Sequence, residues 1–178
     1  MFQLLTPNVQ LNIAIDDLAF VSADAIARPV NAELRAHTPV MRRLELAAGD
    51  GLARQLQVHE PLDVGSAVVT TAGALVTGLM IHAVVMSDDE RVSKPGVQRA
   101  TLSALQRASD WRIEHLAVAP FGLGAGNLDA DDAAQAMMVA IGEHAERAPF
   151  PKDVTIVVES QFEAEAFRAA KAWRWRSE

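Results

Sequence analysis

Apolar and polar positions alternate along Val9–Ile15, which predicts a strand, with Phe2–Leu5 forming a further short one before it. Asp16-Asp17 ends that run, and Ala25-Ile26 predicts a short buried segment that stops just before Arg28-Pro29. Thr38-Pro39 has the form of a helix start, a capping hydroxyl followed by proline at the first helical position. Val40, Leu44 and Ala48 would form the buried face of that helix, Gly49 would close it, and Asp50 would cap a short second helix carrying Leu52 and Leu56. Strands are expected at Ser66–Ala72 and Leu79–Val85, then a polar loop ending at Lys94-Pro95-Gly96. A helix follows with Val97, Leu102, Leu105 and Ala108 inward and Trp111 at its end. Ile113–Val118 is an apolar strand, Ala130–Arg147 an alanine-rich helix with Ala133, Ala134, Met137, Met138 and Ile141 on its inner face, and Asp153–Val158 a branched strand. Ser160 and Glu163 form a capping box for a last helix that would bury Phe162, Ala166, Ala169 and Trp173.

Strands that alternate with helices predict an α/β fold: a three-layer α/β/α sandwich around a largely parallel sheet. No repeat, low-complexity tract or linker divides the 178 residues, so one domain over 1–178 is expected. Hydrophobic residues make up 50% of the chain and aromatics 5%, so alanine, valine and leucine carry the core, and disorder is not expected. The formal net charge of -7 argues against broad nucleic-acid binding and against an anionic membrane surface, but leaves room for an anionic small ligand in a local pocket. With no cysteine, disulfides, thiolate catalysis and cysteine metal sites are excluded. No leader pattern or apolar run of membrane-spanning length is present, which predicts a cytoplasmic location.

The segment Ala119–Leu128, APFGLGAGNL, carries the clearest chemistry. Gly122, Gly124 and Gly126 fall at a strand-to-helix turn, where backbone N–H groups can converge on one anion; the same glycines also suit a tight turn without a ligand. Such a turn lies beyond the carboxyl end of a strand, the usual place for a ligand in an α/β sheet. Asp129, Asp131 and Asp132 suit the start of the next helix but would repel a phosphate if they faced it. His82 sits in an apolar run and reads as a structural residue. The histidines at 37, 59, 82, 115 and 144 have no metal-ligand spacing, and neither a metal nor a cofactor is expected. The tail Lys171–Arg176 interleaves basic and aromatic residues; this suits a helix C-terminus with a tryptophan packed inward, or Trp175 at a homo-oligomer interface, better than a nucleic-acid stack.

Four segments, in order, resemble the macro domain family of ADP-ribose-binding modules. Asp17-Leu18 is similar to the family's Gly-Asp-Ile-Thr site. Residues 24–31, DAIARPVN, resemble its Asp-Ala-Ile-Val-Asn-Ala-Ala-Asn. Gly65-Ser66-Ala67 with Thr70 and Gly73, ahead of Met80-Ile81-His82, resembles its Gly-x-Ala-x-x-Thr run and Ile-His strand. Phe121–Gly126 resembles its second phosphate loop, and Ala133-Ala134 also fit. The resemblance implies a mixed sheet and a site for ADP-ribose or a related nucleotide diphosphate. Asp17 would accept from the adenine amine, Gly122, Leu123, Gly124, Ala125 and Gly126 would hold phosphate, and Asn31 would bond a ribose hydroxyl. Arg28 stands where the family has its first asparagine, and would contact a phosphate in its place. Leu123 replaces a hydroxyl residue, and 33–48 lacks the family's glycine cluster. These departures imply eroded contacts to the distal ribose, with weak binding and little preference for ADP-ribose over ADP. An ADP-ribosyl ester hydrolase, for which no general base can be nominated, and a structural or protein-interaction domain with a lost pocket are the alternatives.

Overall fold

The computed structural model describes residues 9–175. The expected strand over Phe2–Leu5, and Arg176 of the tail, lie outside that range. The elements are β1 (Gln10–Ile15), β2 (Ala25–Asn31), α1 (Pro39–Ala48), α2 (Asp50–Leu56), β3 (Ala67–Thr71), β4 (Leu79–Met86), α3 (Lys94–Asp110), β5 (His115–Val118), α4 (Ala130–Ala145), β6 (Asp153–Val158) and α5 (Gln161–Arg174). The strands form one sheet in the order β1-β6-β5-β2-β4-β3. Its pairs are parallel except the one between β3 and β4, so the sheet is mixed and largely parallel, as expected.

The central strands are buried on both faces, as parallel strands between helical layers must be. Ala25, Ala27, Ile81 and Ala83 face the core shared with α3, α4 and α5, where Phe121, Met137 and Phe167 are fully buried. Ile26, Met80 and Ala117 face the opposite way, against Met41, Leu44 and Leu52 of α1 and α2. These layers make the three-layer α/β/α sandwich. The side chains of Thr38, Ser93, Asp129 and Ser160 cap α1, α3, α4 and α5.

Four expectations are corrected. First, β2 does not stop before Arg28-Pro29 but runs through them to Asn31. Proline is tolerated here because Ala27 O accepts from Ala119 N at 3.0 Å, the last bond on the β5 side. Pro29, two residues on, turns its nitrogen to that same side, beyond the end of β5, where no ladder bond is lost. Second, α5 buries Ala164, Phe167 and Ala170, with Ala166; Phe162 is 74% exposed, Trp173 is 49% exposed, and Ala169 is exposed. The apolar stripe is rotated by about one position, toward the side on which Lys171 Nζ donates to Leu11 O at 2.6 Å. Third, α1 buries Met41 where Val40 was expected. Fourth, Asp50 is the first residue of α2, whose N-cap is Gly49, and no side chain caps it.

Candidate functional site

Since β1, β6, β5 and β2 are parallel neighbours, their carboxyl ends open along one edge of the sheet. Along that edge Asp17 follows β1, residues 122–126 follow β5, and Asn31 ends β2. The fold thus brings Asp17, the glycine loop and Asn31 to one edge. Arg28 goes elsewhere.

The glycine loop is held by its carbonyls and its flanks. Phe121 is fully buried, and its N–H points at Met137 Sδ, 3.2 Å away. Gly122 O accepts from Leu128 N and Gly124 O from Asn127 N, both at 3.0 Å. Leu123 O accepts from Asn127 Nδ2 at 3.2 Å. The amides of Gly122, Leu123, Gly124, Ala125 and Gly126 donate to no acceptor among the described residues. Left-handed φ values at Gly122 (87°) and Gly126 (79°) create this shape, which a residue with a Cβ adopts only at a cost. The nearby carboxylates have other tasks: Asp129 accepts from Asp132 N at 2.8 Å, and Asp132 pairs with Lys94 at 3.2 Å.

The expectation that Arg28 contacts phosphate is overturned. Its side chain is completely buried on the α1 side of the sheet, and every nitrogen of the guanidinium is engaged. Nε donates to His82 Nδ1 at 2.8 Å, Nη1 to Glu45 Oε1 at 2.5 Å, and Nη2 to Leu34 O at 3.2 Å. An arginine in a buried strand needs a counter-charge, and Glu45 on the inner side of α1 supplies it. Glu45 Oε1 also accepts from Ala36 N at 2.7 Å, so the pair anchors the loop that joins β2 to α1.

His82 continues the chain. Nδ1 accepts from Arg28, so Nε2 carries the proton and donates to Thr70 Oγ1 at 2.8 Å. Thr70 in turn donates to Thr71 O. Burial, with the positive charge of Arg28 next and His59 after it, holds the imidazole well below its usual range, so His82 is neutral at pH 7. It is a satisfied structural residue.

Asp17 is exposed; one carboxylate oxygen accepts from Ala19 N at 2.9 Å and the other is open to a donor. Asn31 Oδ1 accepts from Arg35 N at 2.9 Å, while its amide nitrogen donates to nothing among the described residues. Asp24 ties the start of β2 to β5, accepting from His115 N at 2.9 Å. In the tail, Arg174 reaches Glu146 at 3.1 Å and Trp175 packs against the main core.

Sequence reasoning missed three features. Glu45 was hidden because a lone glutamate on a helix reads as solvated; the signal was Arg28 among apolar neighbours, which requires an acid nearby. His37 lies in the anchored loop with both ring nitrogens buried and unpaired. Ile15, Phe20 and Phe162 are exposed at the carboxyl ends of β1 and β6, an apolar surface beside Asp17. A cavity of about 500 Å³ also opens between α1, α2 and the segment 59–61. It shares Glu45 with the buried pair, but no residue of 122–126 lines it.

Comparisons with known proteins place this α/β/α sandwich in a family. The Macro domain family model matches residues 27–137, and the chain belongs to that family. Among curated relatives, an uncharacterized protein of Mycobacterium tuberculosis is 32% identical over 136 residues, which cover 76% of this chain and 38% of the relative. The chain therefore spans well under half the length of the mycobacterial proteins it matches. An uncharacterized protein of Aquifex aeolicus is 30% identical, over 75% of this chain and 81% of that one. Among solved structures, the Oceanobacillus iheyensis macrodomain with ADP superposes with a TM-score of 0.83 at 17% identity, covering 94% of this chain and 93% of that one. The Trypanosoma brucei macrodomain in complex with ADP-ribose gives 0.81 at 13% identity, covering 90% and 68%. These likenesses show the fold. Among the described residues, no helix is long and apolar enough to cross a membrane.

Proposed function

We propose that this chain binds ADP-ribose or a related nucleoside diphosphate along the carboxyl edge of its sheet. The observation that carries this is the run of five amides, Gly122 to Gly126, left without acceptors among the described residues, in a loop held through the carbonyls of Gly122, Leu123 and Gly124. Five adjacent donors suit the several oxygens of a diphosphate, and bonds to a charged acceptor are the stronger kind. Asp17, two strands away, offers an open carboxylate oxygen to an adenine amine, with Ile15, Phe20 and Phe162 as exposed apolar surface for the ring at that end. Structural neighbours were solved with ADP and with ADP-ribose, which supports the same ligand class here.

The test is calorimetry of the folded chain with ADP, with GDP and with ADP-ribose. Saturable binding of ADP, weaker binding of GDP, and loss of both on Gly122→Ala are expected. A well-folded sample that gives no heat with ADP or ADP-ribose would overturn the proposal in favour of a structural or protein-interaction role.

A further inference from the structure

The cavity between α1, α2 and the segment 59–61 stands apart from the glycine loop. Neither Asp17, Asn31 nor any residue of 122–126 lines it. Its volume is about 500 Å³. Sites for small molecules commonly enclose about 300–1,000 Å³ and join an apolar wall to a few placed polar groups. Both are present here: Leu34, Leu52 and Leu56 are apolar, while Glu33, Glu45 and Arg35 carry charge.

Glu45 gives the cavity its chemistry. Its Oε1 is already used, accepting from Arg28 Nη1 at 2.5 Å and from Ala36 N at 2.7 Å. Oε2 accepts from no described residue. It is not sealed in, since the buried side-chain polar atoms without partners among the described residues belong to His37 and Thr77, and the Glu45 side chain is 32% exposed. Two bonds on one oxygen fix the carboxylate, so a donor that reaches Oε2 meets a group with little freedom left to lose. An anion would face Glu33 and Glu45 with Arg35 in its favour, and would gain nothing from Arg28, whose nitrogens are all engaged. A hydroxyl would form an ordinary bond. An ammonium group brings three donors and the stronger, charge-assisted bond, and the formal net charge of -7 draws cations to the chain. We propose that this cavity is a second binding site, for a small primary amine with an apolar body, whose ammonium group donates to Glu45 Oε2 while the body lies against Leu34, Leu52 and Leu56. The proposal does not depend on the nucleotide site.

Three probes with one apolar body and different heads decide it: phenethylamine, phenethyl alcohol and hydrocinnamate, each titrated into the whole chain and followed by its backbone amide resonances. Phenethylamine should give saturable shifts centred on Leu34, Leu52 and Leu56, with a Kd below about 1 mM. The alcohol should bind at least about tenfold more weakly, and hydrocinnamate should not saturate. Glu45→Gln keeps an oxygen for Arg28 and Ala36 but puts a donor in place of Oε2; it should weaken phenethylamine to the level of the alcohol. Ala53→Trp, at an exposed α2 position that lines the cavity, should abolish binding of both while the rest of the spectrum stays in place. The comparison of amine with alcohol on the wild-type chain stands even where a variant does not fold. No saturable shift with phenethylamine, an alcohol or hydrocinnamate that binds as tightly, shifts centred away from the cavity, or a folded Glu45→Gln with unchanged affinity would each overturn the site.

Discussion

Replacing Glu45 by alanine should be among the most damaging single changes to this chain outside the apolar core. Glu45 Oε1 receives Arg28 Nη1 at 2.5 Å and Ala36 N at 2.7 Å. Without it, a fully buried guanidinium loses its counter-charge and a loop amide loses its acceptor. Breaking a buried pair from one side costs about 3–5 kcal/mol. The Glu45 side chain is 32% exposed, so water entering the vacated space offsets part of the loss and places the expected cost near the lower end, about 3 kcal/mol. In urea unfolding this lowers the midpoint by about 1–1.5 M for an m-value of about 2–3 kcal/mol/M. In a thermal melt it lowers Tm by roughly 6–12 °C for a chain of this size. Arg28→Met should be similarly harmful, because it strands Leu34 O and the Nδ1 of His82 as well as Glu45. The double replacement Arg28→Met with Glu45→Met removes both charges, and should cost at least about 2 kcal/mol less than the sum of the two single changes. A cost under about 1 kcal/mol for Glu45→Ala, or strict additivity in the cycle, would refute the view that this pair supports the loop.

Three further outcomes are expected. Both His82 and His37 have folded-state pKa values below those of the unfolded chain, so unfolding takes up protons below about pH 6.5. Stability should therefore be full above that pH and fall as pH drops, by about 1.4 kcal/mol per pH unit for each histidine still neutral in the fold. Urea midpoints that stay flat from about pH 7 to 5.5 would contradict this, and His82→Gln should shallow the slope. Gly122→Ala would place a Cβ 2.7 Å from Val97 Cγ2 at φ 87°, so it should cost about 2–4 kcal/mol, whereas Gly126→Ala meets open space at φ 79° and should cost only about 1 kcal/mol. Gly126→Ala should nevertheless weaken ADP in calorimetry, and undiminished affinity there would remove that amide from the site. Asp17→Asn keeps an acceptor for Ala19 N but turns the open oxygen into a donor; it should weaken ADP by about five- to tenfold with stability within about 0.5 kcal/mol, and an unchanged Kd would take Asp17 out of adenine recognition.

How much was legible can be judged element by element. The late strands and helices were plain because Leu116–Val118 is part of a continuous apolar run, because Ala133, Met137 and Ile141 recur at helical spacing, and because the helix caps are local hydrogen bonds. The glycine loop was legible for the same reason, since left-handed turns require particular residues. What could not be read was whatever depends on a partner far along the chain. Pro29 is acceptable in β2 because β5 ends where it does, at Val118, far along the chain. Arg28 looked like a free phosphate contact because its partners, Glu45 and His82, lie 17 and 54 residues away. The face of α5 was misjudged because the small Ala164 and Ala170 flank Phe167 inward while the larger Phe162 and Trp173 stay exposed.

The Arg28–Glu45 pair explains how the loop after β2 keeps its shape. A glycine-rich loop takes its shape from backbone freedom and pays for it in entropy; the loop after β2 has no glycine from Glu33 to Ala48. Its shape is imposed from below instead, through Leu34 O, held with φ at 63°, and Ala36 N. Side-chain anchors fix a loop more firmly than glycines do, but they consume the groups that make them. Arg28 thereby leaves the ligand side, His82 is locked as a neutral donor to Thr70, and the Glu45 oxygen nearest the loop is doubly bonded. Every side-chain nitrogen of Arg28 and His82 is engaged, whereas Glu45 keeps its second oxygen. His37 is the polar side chain of this loop whose buried bonding capacity is unused.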